Sequence, residues 1–237
     1  MGMKKVVRIS TLLCLLALGA VAAATATPRV TVVTLKKAQP GRCTVDVQVT
    51  QYAAPTSGQR AVNTALMRGA QELIADFEGQ LRRAGRERDR MWHLLVITQT
   101  RYVSERWLSV ETVGGLDQGG AHPMPLTATR LFDGRSGKEL HLGDLFKPAS
   151  PYLAELSRRC REKLFLREDV KNDARWGNEG SAPKADNYTV FYLDGKNLVI
   201  VFTPYQVAPY SSGRVEVKLP YASLAGIARP DGPLCTP

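Results

Sequence analysis

The sequence predicts an α+β fold, mainly antiparallel sheets with two amphipathic helices, arranged as a two-part domain. Three observations carry this expectation. Val45, Val47 and Val49 alternate with polar residues, the period of a half-buried strand. Val62, Leu66, Leu73, Phe77 and Leu81 recur at helical spacing. The other apolar runs are joined by hairpin-type turns, not by the regular strand–helix alternation of a doubly wound sheet.

The N-terminus reads as an address and not as part of the fold. Lys4, Lys5 and Arg8 precede an apolar run from Leu12 to Ala23, and the small residues Ala22 to Ala26 follow. That order is a secretory signal peptide, with cleavage expected after Ala24 or Ala26. The apolar run is shorter than the ~20 residues a spanning helix needs. The expected organisation is a signal peptide at 1–26, an N-terminal α+β portion at 27–115 and a C-terminal portion at 116–237. The expected location is periplasmic or secreted, with no transmembrane segment after cleavage.

Strands are expected at Val30 to Leu35 and Cys43 to Tyr52. Pro55 to Gly58 breaks the second, and a helix of five or six turns ends near Gly85. Met91 to Val103 and Trp107 to Val113 form an antiparallel pair turned at Ser104 to Arg106. Pro125 to Phe132 is a further strand, closed by the turn Asp133 to Gly137. Leu140 to Phe146 is a short helical or turn segment, and Pro151 to Leu166 is the second amphipathic helix, with proline at a compatible first-turn position. Lys171 to Asp186 has no periodicity and is expected as a mobile loop. Tyr188 to Leu193 and Leu198 to Phe202 form a hairpin around Asp194-Gly195; the second strand is apolar on both faces and therefore central. Val215 to Leu219 is the last strand, and Ser223 to Ile227 a terminal helical turn.

The chain carries 32 basic and 22 acidic residues. Three of the basic residues lie in the signal segment, so 29 against 22 leaves about +7 on the mature chain. Such a charge attracts anionic envelope polymers. No nucleic-acid motif accompanies the basic residues, so nucleic acid is not an expected partner. Cys43, Cys160 and Cys235 survive processing. An oxidising compartment favours one disulfide among them. Cys43 with Cys235 is the favoured pair, the other pairings staying open, while Cys160 reads as a buried thiol on a helix face.

No HExxH, close His/Cys/Asp cluster, Gly-x-Ser-x-Gly elbow or phosphate loop is present, so no metal, cofactor or catalytic residue is assigned. Two unusual segments remain. Gly119-Gly120-Ala121-His122-Pro123 combines backbone freedom with a proline that stiffens its exit. Phe202-Thr203-Pro204-Tyr205-Gln206-Val207-Ala208-Pro209-Tyr210 sets two tyrosines between prolines just past a central strand. Tyrosine offers ring area plus a hydrogen-bonding tip, a recognition profile. The alternative is that the tyrosines cap the sheet edge with the His-Pro loop packed beneath. Gly119, Gly120, His122, Pro123, Pro204, Tyr205, Pro209 and Tyr210 are the candidate ligand-binding residues.

These two segments belong to a longer ordered set: Phe132-Asp133, Gly137-Lys138-Glu139-Leu140, Asp144-Leu145-Phe146, and Val215-x-Val217-x-x-Pro220-Tyr221. Together, over most of residues 43–228, they resemble a bacterial envelope family of unknown function. That family is found in the extracellular part of RsiV, the lysozyme-sensing anti-sigma factor, and beside the catalytic domain of the peptidoglycan deacetylase PdaC. The resemblance implies a two-part α+β fold and an exported, non-catalytic binding domain recognising peptidoglycan or a wall-lytic protein such as lysozyme. The alternatives are a peptidoglycan-acting hydrolase using His122, and a structural or assembly protein of the envelope docking a partner through 171–186. Like charge opposes steering between this chain and a basic lysozyme.

Overall fold

The computed structural model describes residues 27–85 and 90–235. The expected signal peptide lies outside the described residues.

The larger sheet has six strands in the order β1 (Val30–Gln39), β2 (Cys43–Tyr52), β3 (Trp92–Val103), β4 (Trp107–Asp117), β5 (Met124–Asp133) and β6 (Glu139–Leu140). All neighbours are antiparallel except β2 and β3. A parallel pair needs a crossover, and α1 (Ser57–Arg83) supplies it. The helix begins at a capping box, in which Gln59 N donates to Thr56 Oγ1 and Thr56 N donates to Gln59 Oε1. Val62, Leu66, Ile74, Phe77 and Leu81 form its buried stripe. They pack on Val45, Val47, Val49, Leu94 and Val96, so the two sequence periodicities meet as the first core.

Adjacent strand residues point to opposite faces, and β5 shows the consequence. Phe132 belongs to the core beneath α1, whereas Leu131 belongs to a second core on the other side of the sheet. That second core contains α2 (Tyr152–Leu164) and a three-stranded antiparallel sheet of β7 (Phe191–Leu193), β8 (Asn197–Phe202) and β9 (Val215–Pro220). As expected, β8 is central and buried on both faces, with Leu198, Ile200 and Phe202 on one and Val199 and Val201 on the other. The position expected to divide the chain, between residues 115 and 116, falls within β4, and the large sheet continues through β5 and β6.

Polar side chains stitch the small sheet to the large one. Leu193 N donates to Ser109 Oγ at 3.0 Å, and Phe191 N to Thr129 Oγ1 at 2.9 Å. Glu111, 0 % exposed, lies between Arg101 of β3 and Arg214 beside β9, the latter at 2.6 Å. Two half-buried guanidiniums compensate the buried carboxylate, and Arg214 also pairs with Glu216.

Three expectations are corrected. Residues 171–186 are not a loop: they hold the end of α3 (Glu168–Lys171), all of α4 (Ala174–Gly180) and the start of a 3-10 turn at Ala185–Tyr188. The periodicity signal fails because α4 is only seven residues long and packs largely through glycine backbone. Tyr188 accordingly closes that turn, and β7 starts at Phe191. The terminal helical turn, α5 (Tyr221–Leu224), comes two residues earlier than expected because it follows directly on β9.

The third correction concerns the disulfide. Cys43, Cys160 and Cys235 are all free thiols. Cys43 points into the core beneath α1, whereas the residue before Cys235, Leu234, is buried in the second core across the sheet. Leu234 and a bond from Arg106 Nη1 to Asp231 O fasten the tail without a crosslink. Burial pushes the Cys160 thiol up to about 12. Thiol labelling of the native protein is therefore expected to modify Cys235, with Cys43 and Cys160 reacting only on unfolding. Peptide mass spectrometry checks this; native labelling of Cys160 would contradict the packing.

Candidate functional site

The strand β8 delivers the chain into the Pro-Tyr segment. Gln206 N donates to Thr203 O at 3.0 Å, closing a four-residue turn with Pro204 second and Tyr205 third. Tyr205 has φ 70°. This is a type II turn, whose third position ordinarily calls for glycine. A large side chain there stores backbone strain, a feature that concentrates at functional positions. The next residues, Val207 and Ala208, are buried in the second core, so the turn is fixed at its base while Tyr205 is 57 % exposed. Pro209 is exposed and leads into a 3-10 turn at Tyr210–Ser212.

Helix α4 is locked against this turn. The Gln206 side-chain amide donates to Gly180 O at 3.1 Å and Asn187 O at 2.9 Å, while its oxygen accepts from Thr203 N. A Cβ on Gly180 would lie 1.8 Å from Gln206 O, so only glycine permits the approach. Asp173 caps the helix by accepting from Trp176 N. Trp176 lies one helical turn before Gly180 and so comes up beside Tyr205.

The His122 loop arrives from the large sheet. After β4, Asp117 Oδ1 accepts from Gly119 N at 2.7 Å, Gly119 takes φ 75°, and Arg90 packs beneath it while donating to its carbonyl. Gly120, His122 and Pro123 are exposed, and Pro123 packs over Gly115 on the way into β5.

The two loops meet. The His122 ring stacks on Tyr210 with centroids 5.1 Å apart and planes at 25°. Tyr210 lies 5.4 Å from Tyr205, and Tyr205 lies 6.1 Å from Trp176, edge to face. The result is a row of four rings, His122–Tyr210–Tyr205–Trp176, crossing from the large sheet to α4. Glycines and prolines of the two motifs shape the backbone that carries it; His122, Tyr205 and Tyr210 supply rings. Sequence reasoning missed Trp176 because it lies in the aperiodic stretch. The available signal was a lone tryptophan three residues after Asp173, the spacing of a helix cap.

The charged side chains around the row are paired. Arg175 pairs with Glu179, Lys171 with Glu168, and Arg167 with Asp169. The Arg167 guanidinium, helped by a hydrogen bond from Ser212, holds the Asp169 carboxyl below its usual range. The polar contact of His122 is its own neighbour's carbonyl, Pro123 O, at 3.3 Å from Nδ1. His93 is exposed and bonded to Thr44 Oγ1, and His141 is exposed at the start of a 3-10 turn. Among the described residues no group of three or more His, Cys, Asp or Glu side chains is placed to hold a metal ion. No helix among them is long and apolar enough to cross a membrane.

Comparison with known proteins agrees with this fold. Residues 143–222, which span α2, the small sheet and three rings of the row, match a family described as protein of unknown function (DUF3298). A stretch of 111 residues is 29 % identical to the peptidoglycan-N-acetylmuramic acid deacetylase PdaC of Bacillus subtilis (strain 168). The match takes in 47 % of this chain but only 24 % of that enzyme. A crystal structure of a DUF3298 family protein from Pseudomonas aeruginosa PAO1 superposes with a TM-score of 0.66 at 20 % identity, over 87 % of this chain and 96 % of that one. A second, from Bacteroides fragilis NCTC 9343, gives 0.62 at 14 % identity, over 88 % and 96 %. These likenesses establish the α+β architecture.

Proposed function

We propose that this chain, whose residues 143–222 match the DUF3298 family, is an exported, non-catalytic binding domain of the bacterial cell envelope, with peptidoglycan as its ligand. The observation that carries this reading is the aromatic row. Two motifs separated by some eighty residues of sequence converge on one line of rings, and Tyr205, one of its two inner rings, sits on strained backbone. Exposed aromatics held by rigid backbone bind at low entropic cost. The relationship to PdaC, whose name places its action on peptidoglycan, supports the choice of ligand. A binding role is favoured over hydrolysis because His122 is engaged by a ring and a backbone carbonyl, not by a carboxylate that would orient it as a base.

Co-sedimentation with purified sacculi tests the reading. The protein is expected to sediment with them, and Trp176→Ala and Tyr210→Ala to release it while leaving the melting temperature within a few degrees. Retention on immobilised lysozyme, without retention on sacculi, would move the ligand from the wall polymer to a wall-lytic protein.

A further inference from the structure

Resting on the reading above, we infer that the aromatic row takes the uncharged glycan of the wall, a run of N-acetylhexosamine rings, and not the carboxylates of its stem peptides. The charge of about +7 on the mature chain argues for an anionic ligand; the local arrangement argues otherwise. On the α4 side, Arg175 is spent on Glu179 and Lys171 on Glu168. Beside Tyr210, Arg167 is spent on Asp169, which also takes the Ser212 hydroxyl. Arg214, next along the chain, serves Glu111 and Glu216. Under the His122 loop, Arg90 donates to Gly119 O, with Asp117 in the same loop. A carboxylate arriving here would meet cations that are already paired, and would compete with the acids they hold.

What the row does offer is apolar ring area with polar rims. Tyr205 is 57 % exposed and Tyr210 38 %, while Trp176 and His122 extend the line at either end. A hexosamine ring is complementary: its axial C–H bonds form an apolar face that packs on aromatic carbon, and its equatorial hydroxyl and acetamido groups reach polar tips at the edge. Successive β-1,4-linked sugars alternate in orientation, but both faces carry axial C–H bonds, so each sugar can pack on a ring, which suits a row of rings better than a single pocket.

Calorimetric titration of the purified protein with chitotetraose, the β-1,4-linked N-acetylglucosamine tetramer, tests this, with a free stem peptide in parallel. The tetramer is expected to bind and the stem peptide not to. Affinity for the tetramer is expected to fall about tenfold in both Trp176→Ala and Tyr205→Gly, as for loss of an anchoring aromatic. It is expected to stay constant between about 50 and 500 mM salt, a range over which screening shortens roughly threefold. Absence of tetramer binding, steep salt dependence, or binding of the stem peptide instead would overturn the inference. Sacculus binding that survives such a result and still requires Trp176 would leave the wall-binding reading standing; loss of sacculus binding as well would remove both.

Discussion

Tyr205→Gly is expected to weaken ligand binding about tenfold while leaving the fold as stable as the parent, and Tyr205→Ala to be the less stable of the two variants. The reason is the turn. Tyr205 occupies its third position at φ 70°, where a side chain costs about 1–3 kcal/mol and glycine costs almost nothing. Its ring contacts Tyr210 and Trp176, each pair worth roughly 1 kcal/mol. Glycine forfeits the ring contacts but relieves the strain, and the two nearly cancel. Alanine forfeits the contacts and keeps the strain. A difference of about 1 kcal/mol separates melting temperatures by roughly 2–4 °C in a chain of this size. Thermal denaturation of the three proteins, with sacculus co-sedimentation alongside, reads both effects. An alanine variant more stable than the glycine variant would mean that the turn is not under strain. Such a result would remove the argument that stability is given up here for presentation of a ring.

Gly180→Ala is expected to do the reverse, damaging the fold and the row together although residue 180 contributes no ring. The added Cβ would lie 1.8 Å from Gln206 O and 2.6 Å from Gln206 C, both backbone atoms of the Pro-Tyr segment. One side must move, and forced repacking of this kind costs about 3 kcal/mol, or roughly 10 °C of melting temperature. Moving α4 also breaks the two bonds from the Gln206 amide and carries Trp176 away from Tyr205. Trp92 and Trp107 are buried, so Trp176 is the tryptophan whose fluorescence reports the displacement. Its emission is expected to shift to the red, and limited trypsin digestion is expected to cut at Lys171 or Arg175 sooner than in the parent. An unchanged melting curve with full sacculus binding would show that α4 and the turn are not coupled.

Much of this architecture was legible beforehand. The alternation Val45, Val47, Val49 and the helical recurrence from Val62 to Leu81 reappear as the two faces of one core, since each period allows one buried side. The double apolarity of Leu198 to Phe202 reappears as a central strand for the same reason. Legibility failed where packing uses backbone instead of side chains. α4 contributes Gly177 and Gly180 to its contacts, and glycine leaves no apolar stripe to detect. It failed also for the thiols, because sequence cannot say on which side of a sheet a residue will lie; Cys43 and the tail before Cys235 are on opposite sides.

The sequence by itself determined the α+β class, most of the strands, both long helices and the identity of two unusual motifs. These follow from local spacing, and local spacing is written in the chain. Only the tertiary structure decided that the two motifs meet. His122 reaches its place from β4 of the large sheet, Tyr205 and Tyr210 from the end of β8, and Trp176 from α4. Their meeting depends on how the small sheet is stitched across the large one by Ser109, Thr129 and Glu111, and on a glycine that lets α4 touch the turn. Contacts between elements so far apart in sequence have no period, so no spacing rule could have announced them.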